Sequence, residues 1–388
     1  VEAFAQTMIE GWEMGSQQMK QMAQMGGAQA EQLEPQINML DQVVRNFARD
    51  GKRGMVAVSL DGRGVSLDLG ASFKEGSEVG AFFQESNGAA DTLAKLPGGE
   101  FIAAWSIDMT GDGIRELMNN MSEMGNAMGQ GMPGMNMAQF MEGSDSWAQV
   151  IGSNPAGLMG GIFPYTTTVI ESDNPAALIE SYGQAVAGMN DQEANGLLLT
   201  SSFDNAATDV NGISAYGWSI SMMPDMNNPN AMQMQMMLPM LFGGGGNGPS
   251  GYVAAADDTT TVMTYTRTGD VLAKAVTAAR EGGDLVTNER VAAQAARLPQ
   301  DAFMVGYVDL GTIARSALPM VRMFAPEAGA IQVPDAITPI AFSATADGGS
   351  MSFRTVVPMD LITTVKDIAE SFQDQGGGMG GDDEQPEF

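Results

Sequence analysis

Met55–Phe83 reads MVAVSLDGRGVSLDLGASFKEGSEVGAFF, and Ala341–Ala369 reads AFSATADGGSMSFRTVVPMDLITTVKDIA. The two stretches align without a gap. Each is an alternating apolar/polar segment, an Asp-Gly turn, and a second alternating segment, which is the pattern of a half-buried β-hairpin. The turns fall at Asp61-Gly62 and Asp347-Gly348, where Asp and Gly supply the positive φ of a tight hairpin. A helical stretch follows in both, with Val79 and Phe82 matching Val365 and Ile368. A looser third copy is GYVAAADDTTTVMTYTRTGDVLAKAV, turning at Asp257-Asp258.

Working outward, LAKLPGGEFIAAW (Leu93–Trp105) matches AARLPQDAFMVGY (Ala295–Tyr307). Leu-Pro, the following Phe and an aromatic four residues later coincide. Each copy reads as a helix end, a proline stop and a buried strand. Asp108 and Asp309 then stand where a helix N-cap is needed. The order is strand, helix, hairpin, helix, Leu-Pro, strand. VEAFAQTMIEGW at the start falls where VDLGTIARSALP falls in the later copy, so the chain is expected to begin just after a strand.

The spacing predicts helix over 1–49, broken near Gly26-Gly27 and Pro35, and a Met-rich helix over 111–142, interrupted at Pro133-Gly134. It predicts a strand at 163–171, a helix from Pro175 to Gly188 opened by Asp173 or Asn174, and two strands around Asn211-Gly212. The resulting class is α+β: duplicated units of antiparallel hairpins with helices on one face. The expected organisation is a helix-plus-hairpin unit over 1–95 and an α+β unit with the Met-rich helix over 96–222. A Met-, Asn- and Gly-rich loop or linker over 223–250, a second α+β unit over 251–374 and a disordered acidic tail over 375–388 complete it.

Composition narrows the function. The 388 residues hold 33 methionines, no cysteine and no histidine. Imidazole and thiolate chemistry are therefore excluded. Eighteen Lys and Arg against 47 Asp and Glu give a net charge of −29, which argues against nucleic acid and against an anionic membrane surface. No apolar run reaches the ~20 residues of a transmembrane helix. The thiol-free, acidic composition is read as that of an extracytoplasmic bacterial protein, periplasmic or secreted.

Methionine clusters at Met118–Met141 and at Met222, Met223, Met226, Met232, Met234, Met236, Met237 and Met240. Thioethers can bind Cu(I), but no His or Cys accompanies them. Core packing and an adaptable apolar contact surface are the other readings. Asp108, Thr110, Asp112 and Gly113 resemble the first half of a calcium loop, but Asn119 replaces the bidentate glutamate at its twelfth position. Asp108 and Asp112 are thus lesser metal candidates beside a capped strand-to-helix turn. FGGGGNG lacks the Lys-Ser/Thr of a phosphate loop. No carboxylate pair stands out for hydrolysis, and Trp105 and Trp218 lie in strand-like segments expected in the core.

The Leu96, Pro97, Phe101, Trp105 and Leu298, Pro299, Asp301, Phe303, Tyr307, Asp309 sets resemble uncharacterised bacterial cell-envelope or secreted proteins with repeated Leu-Pro…Tyr-Val-Asp strand–helix units. The first copy departs at Gly99, where the second has Asp301. The resemblance covers about a fifth of the chain and implies an exported, non-enzymatic role. The expected function is a structural or interaction protein with Met-rich adaptable surfaces, self-assembling or binding other envelope proteins, without catalytic residues or cofactor. A carrier of a hydrophobic small molecule or lipid is the alternative; copper binding and a carboxylate hydrolase rank lower.

Overall fold

The computed structural model describes residues 9–17, 41–42, 44–84, 86–127, 143–194, 196–227, 231–243, 247–324 and 331–376. The expected breaks at Gly26-Gly27, Pro35 and Pro133-Gly134 lie outside them, as do Met128–Met141 and residues 377–388. Residues 9–17 and 44–50 are helical, as expected.

The class is α+β, and all strand pairings are antiparallel. In chain order the strands are β1 (Gly51–Asp61), β2 (Gly64–Phe73), β3 (Phe101–Asp108), β4 (Ser146–Gly152), β5 (Thr166–Glu171), β6 (Gln192–Ala194) and β7 (Leu197–Phe203). They continue with β8 (Thr208–Val210), β9 (Ile213–Pro224), β10 (Ser250–Ala255), β11 (Thr260–Thr264), β12 (Ala302–Val308), β13 (Ile340–Asp347) and β14 (Ser350–Pro358). One sheet runs in the order β1-β2-β14-β13-β12-β3-β4-β5-β11-β10-β9-β7-β6, with β8 on β9. One continuous sheet takes strands from all three of the expected strand-bearing units. β2 joins β14, β12 joins β3, and β5 joins β11.

The predicted hairpins form. Gly348 and Gly349 turn β13 into β14 with φ of 52° and 74°, and Asn211 and Gly212 turn β8 into β9 with φ of 54° and 80°. Two successive positive φ values match the right-handed strand twist. At the first hairpin the positive φ belongs instead to Gly64, just past the turn. The two Leu-Pro strands, matched in sequence, are neighbours at the middle of the sheet, with Trp105 opposite Gly306 and Ala104 opposite Tyr307.

The helices are α1 (Glu78–Phe82), α2 (Ala89–Leu93), α3 (Asp112–Ala127), α4 (Pro175–Gly188), α5 (Ala231–Phe242), α6 (Gly269–Glu281), α7 (Glu289–Ala295), α8 (Leu310–Phe324) and α9 (Met359–Gly376). Alternation along each strand divides the side chains between the two faces of the sheet. Ala104, Val169, Ala254, Val305 and Tyr307 pack with Leu93 of α2, Leu272 of α6 and Val291 of α7. Ile107 and Phe303 join Val79, Phe83 and Ile114. Ile170, Val253 and Trp218 join Leu178 and Tyr182 of α4. Helices thus cover both faces, where the sequence predicted one. Trp218 is buried as expected, whereas Trp105 is half-buried beside Trp147.

The caps explain where helices begin. Asn174 Oδ1 accepts from the Ala177 amide at 3.1 Å with Pro175 next in line, as the sequence predicts. Asp309 Oδ1 accepts from the Thr312 amide at 2.8 Å at the start of α8. Residues 223–250, expected as a loop or linker, contain α5. Gln375, expected to open a disordered tail, lies in α9.

Gly283 fastens α6 to the first Leu-Pro segment, its amide donating to Ala94 O at 2.7 Å. A Cβ there would stand 1.8 Å from the Leu96 carbonyl oxygen, so the backbone must move to admit it. Gly283→Ala is predicted to destabilise the fold by about 3 kcal/mol, read as a lower denaturation midpoint; an unchanged midpoint contradicts the packing.

Candidate interaction surface

Helix α5 reads AMQMQMMLPMLF, built from good helix formers. Pro239 lies inside it, and Gly243, with φ of 86°, ends it one turn later by donating to Pro239 O at 2.8 Å. The amides of Ile162 and Phe163 satisfy the carbonyls of Met240 and Leu241 at 3.2 and 2.9 Å. Ala231 and Leu238 are buried, and Phe242 packs against Phe163 with ring centroids 5.7 Å apart. One side of α5 is therefore anchored.

The other side is left uncovered by the described residues. Met232, Met236 and Met240 recur at i, i+4 and i+8, joined by Met237, and their exposures are 73, 64, 41 and 48 %. Met226 is exposed, as are Met223 and its cross-strand partner Leu198. Of the eight methionines singled out in the sequence, Met222 belongs to the core and Met234 is half-buried. The other six are at the surface. From Met226 to Ala256 there is no charged residue. Met232 and Met240 stand ~12 Å apart along the axis, at 1.5 Å per residue. That spreads the thioethers along a face rather than converging three or four on one ion.

In the other cluster, Met118 packs at the margin of the core beside Ile114. Side chains beyond Asn120 to Met141 lie outside the described residues.

The calcium reading fails at Asp108. Its Oδ1 accepts from the Thr110 amide and hydroxyl at 3.0 and 2.8 Å. Its Oδ2 accepts from the Ser86 hydroxyl and the Asn87 and Gly88 amides at 2.8, 3.0 and 2.8 Å. Five protein donors occupy the oxygens a cation would need, while Asp112 is exposed at the start of α3. Among the described residues no group of three Asp or Glu could hold a metal ion. Asp108 is instead a buried brace tying β3 to the loop before α2. It does not cap α3.

Two polar features were not legible in the sequence because their parts meet only in space. Glu171, at the end of β5, accepts from Thr92 and Ser146 hydroxyls at 2.7 and 2.6 Å and pairs with Lys95. Burial alone would raise its pKa; the bonds from Lys95, Ser146 and Thr92 outweigh that and hold it below the ordinary glutamate value of 4.5. A cleft of about 500 Å³ nearby is lined by Arg115, Asp145, Asp173, Asn174 and Ser181. Burial, then the neighbouring Asp173 charge, raises the Asp145 pKa against the pull of Arg115. A second cleft, of about 550 Å³, lies beside Phe101, Val150, Tyr165, Val271 and Lys274.

Comparison with protein-family models, with curated proteins and with solved structures finds no match. Among the described residues, no helix is long and apolar enough to cross a membrane.

The Glu171 and Asp108 pKa values are both lowered in the folded state. Their stabilisation is therefore present above the ordinary carboxylate values and is lost as pH falls through the folded ones. Unfolding free energy is expected to drop on acidification below about pH 4.5, with a shallower slope in Glu171→Gln. Asp145 acts in the opposite sense. Asp108→Ala, which strands buried donors, is predicted to cost about 2–3 kcal/mol. Denaturation with added calcium or chelator is expected to leave the midpoint in place.

Proposed function

We propose that this is a non-enzymatic interaction protein of an extracytoplasmic compartment, which holds an apolar helical segment of another envelope protein against the methionine face of α5. The observation that carries the reading is that exposed, uncharged face on a chain of net charge −29. A helix this apolar, with Gln233 and Gln235 as its two polar residues, is ordinarily buried over most of its surface. Exposed apolar patches of this kind mark interaction sites, and methionine's flexible thioether accommodates varied partners. Absence of charge favours an apolar partner over a cationic one.

The reading includes a chain built of duplicated strand–helix–hairpin–helix units, akin to the repeated Leu-Pro envelope proteins. It is supported by the sheet order. Outward from the central pair, β12-β13-β14 on one side answers β3-β4-β5 on the other, and the β2-β1 hairpin answers β11-β10.

The test is oxidative footprinting. In the purified protein Met232, Met236 and Met240 are expected to oxidise as fast as the exposed Met14, Met159 and Met323. In intact source cells the α5 methionines are expected to be protected at least fivefold while the other three are not. Equal oxidation in both settings sinks the proposal, and fractionation into the cytoplasm sinks its location.

A second reading, carriage of a hydrophobic ligand, has the 550 Å³ cleft in its favour, which is the size of a small-molecule site. Native mass spectrometry of protein taken from its source would then show an extra few hundred daltons, lost on substitution of Val150 by Trp. A bare 40.7 kDa mass counts against it.

A further inference from the structure

The two edges of the sheet are unlike. At one edge stands β6, three residues long and carrying Glu193. Short, charged edge strands are how natural sheets avoid unwanted pairing. At the other edge stands β1, eleven residues long, paired on one side with β2 and, among the described residues, with no strand on its outer side. Val56, Val58 and Leu60 are 67, 69 and 71 % exposed, and Met55 is 57 % exposed. Such an edge is a template for one more strand. The hairpin at the corresponding place in the other half, β10–β11, has its outer edge covered by β9.

The sequence of β1, GKRGMVAVSLD, says what can cover it. Lys52 and Arg53 stand at one end and Asp61 at the other. Laid antiparallel against itself, the strand brings opposite charges together at both ends. The register follows from the ladder. The two-residue turn makes Asp61 and Gly64 a hydrogen-bonded pair, so Ser59, Ala57 and Met55 also bond to β2. The amides and carbonyls of Leu60, Val58, Val56 and Gly54 therefore face outward. A two-fold axis at Ala57 pairs Val56 with Val58, Gly54 with Leu60, Met55 with Ser59 and Arg53 with Asp61 of a second copy. It also joins the exposed Val56, Val58 and Leu60 of both copies into one apolar stripe. Asp61 keeps its contacts with Arg63 and Arg297 on its own chain, at 3.1 and 3.5 Å. The β1–β2 hairpin carries Lys52, Arg53 and Arg63 against Asp61 and Asp68, so the approach is spared the repulsion of the acidic remainder.

We propose that two copies of this chain associate edge to edge, β1 against β1, antiparallel and centred on Ala57, continuing the sheet from one copy into the next. The interface lies apart from α5, so the dimer presents two methionine faces.

The chain has no cysteine, so a single one reports register without interference. In the proposed dimer the two Ala57 residues form a non-hydrogen-bonded pair with Cα atoms ~4.5 Å apart, within disulfide reach. The two Ser59 residues lie more than ~10 Å apart, at ~3.4 Å per residue along the strands. Under mild oxidation Ala57→Cys is expected to give a covalent dimer at least tenfold faster than Ser59→Cys. Light scattering of the unmodified protein at about 100 µM should give twice 40.7 kDa. Val58→Pro removes an outward amide while sparing the β2 ladder, and should weaken association at least tenfold without lowering the denaturation midpoint by more than a few degrees. A mass of 40.7 kDa with Ala57→Cys remaining reduced overturns the proposal, as does cross-linking of Ser59→Cys as fast as Ala57→Cys.

Discussion

The pairing of Phe101–Asp108 with Ala302–Val308 is the interaction on which the rest of the molecule depends. It joins the two halves of the chain, and every other strand is added outward from it, mostly by hairpins between near neighbours. Its chemistry is set just upstream. Leu96 and Leu298 are buried in the same core cluster as Ala104, Val305 and Tyr307. Pro97 and Pro299 stop the preceding helical turns and send the chain into the sheet. Gly306 faces the ring of Phe342, which stands 2.2 Å from where a Cβ would lie, so only a glycine lets β13 seat its aromatic there. Two Leu-Pro segments thus deliver two strands to one place, and burial on both faces holds them.

The elements legible in the sequence were those specified locally. The Asp-Gly and Asn-Gly turns, the β-branched run of β5 and the Asn174-Pro175 start of α4 each depend on a few adjacent residues. Continuity of the sheet does not. Nothing in residues 64–73 says that Leu69 will meet Phe353, because period-two alternation fits any antiparallel neighbour. Helices on both faces were equally hidden. The strands of the middle read as apolar runs, and an apolar run looks alike whether covered on one face or two.

The site was half legible. Methionine spacing marked 222–240, yet Asn, Pro and Gly on either side outweighed a twelve-residue helix in the reading. The close of α5 is a tertiary effect. The Met240 and Leu241 carbonyls, orphaned where the helix ends, find Ile162 and Phe163 amides, which no local rule anticipates. Asp108 shows the opposite failure. Its spacing to Asp112 imitated a calcium loop, but the fold delivers Ser86, Asn87 and Gly88 to the same carboxylate from a distant segment. A ligand pattern along the chain cannot reveal that its oxygens are already taken.

Charge gives the two exposed apolar features a common logic. A chain of net charge −29 repels its own kind and other acidic proteins over roughly a Debye length, ~10 Å at 0.1 M salt. Apolar contact acts only at closer range, so it can operate only where that repulsion is absent. The segment that carries α5 holds no charge from Met226 to Ala256. The β1–β2 hairpin holds three cations against two anions. Elsewhere the acidic surface guards what it surrounds. In the proposed dimer, the apolar edge strand β1 is met along one direction, by a second copy of itself. In the proposed reading, the excess acid disfavours other acidic partners as well as supporting solubility.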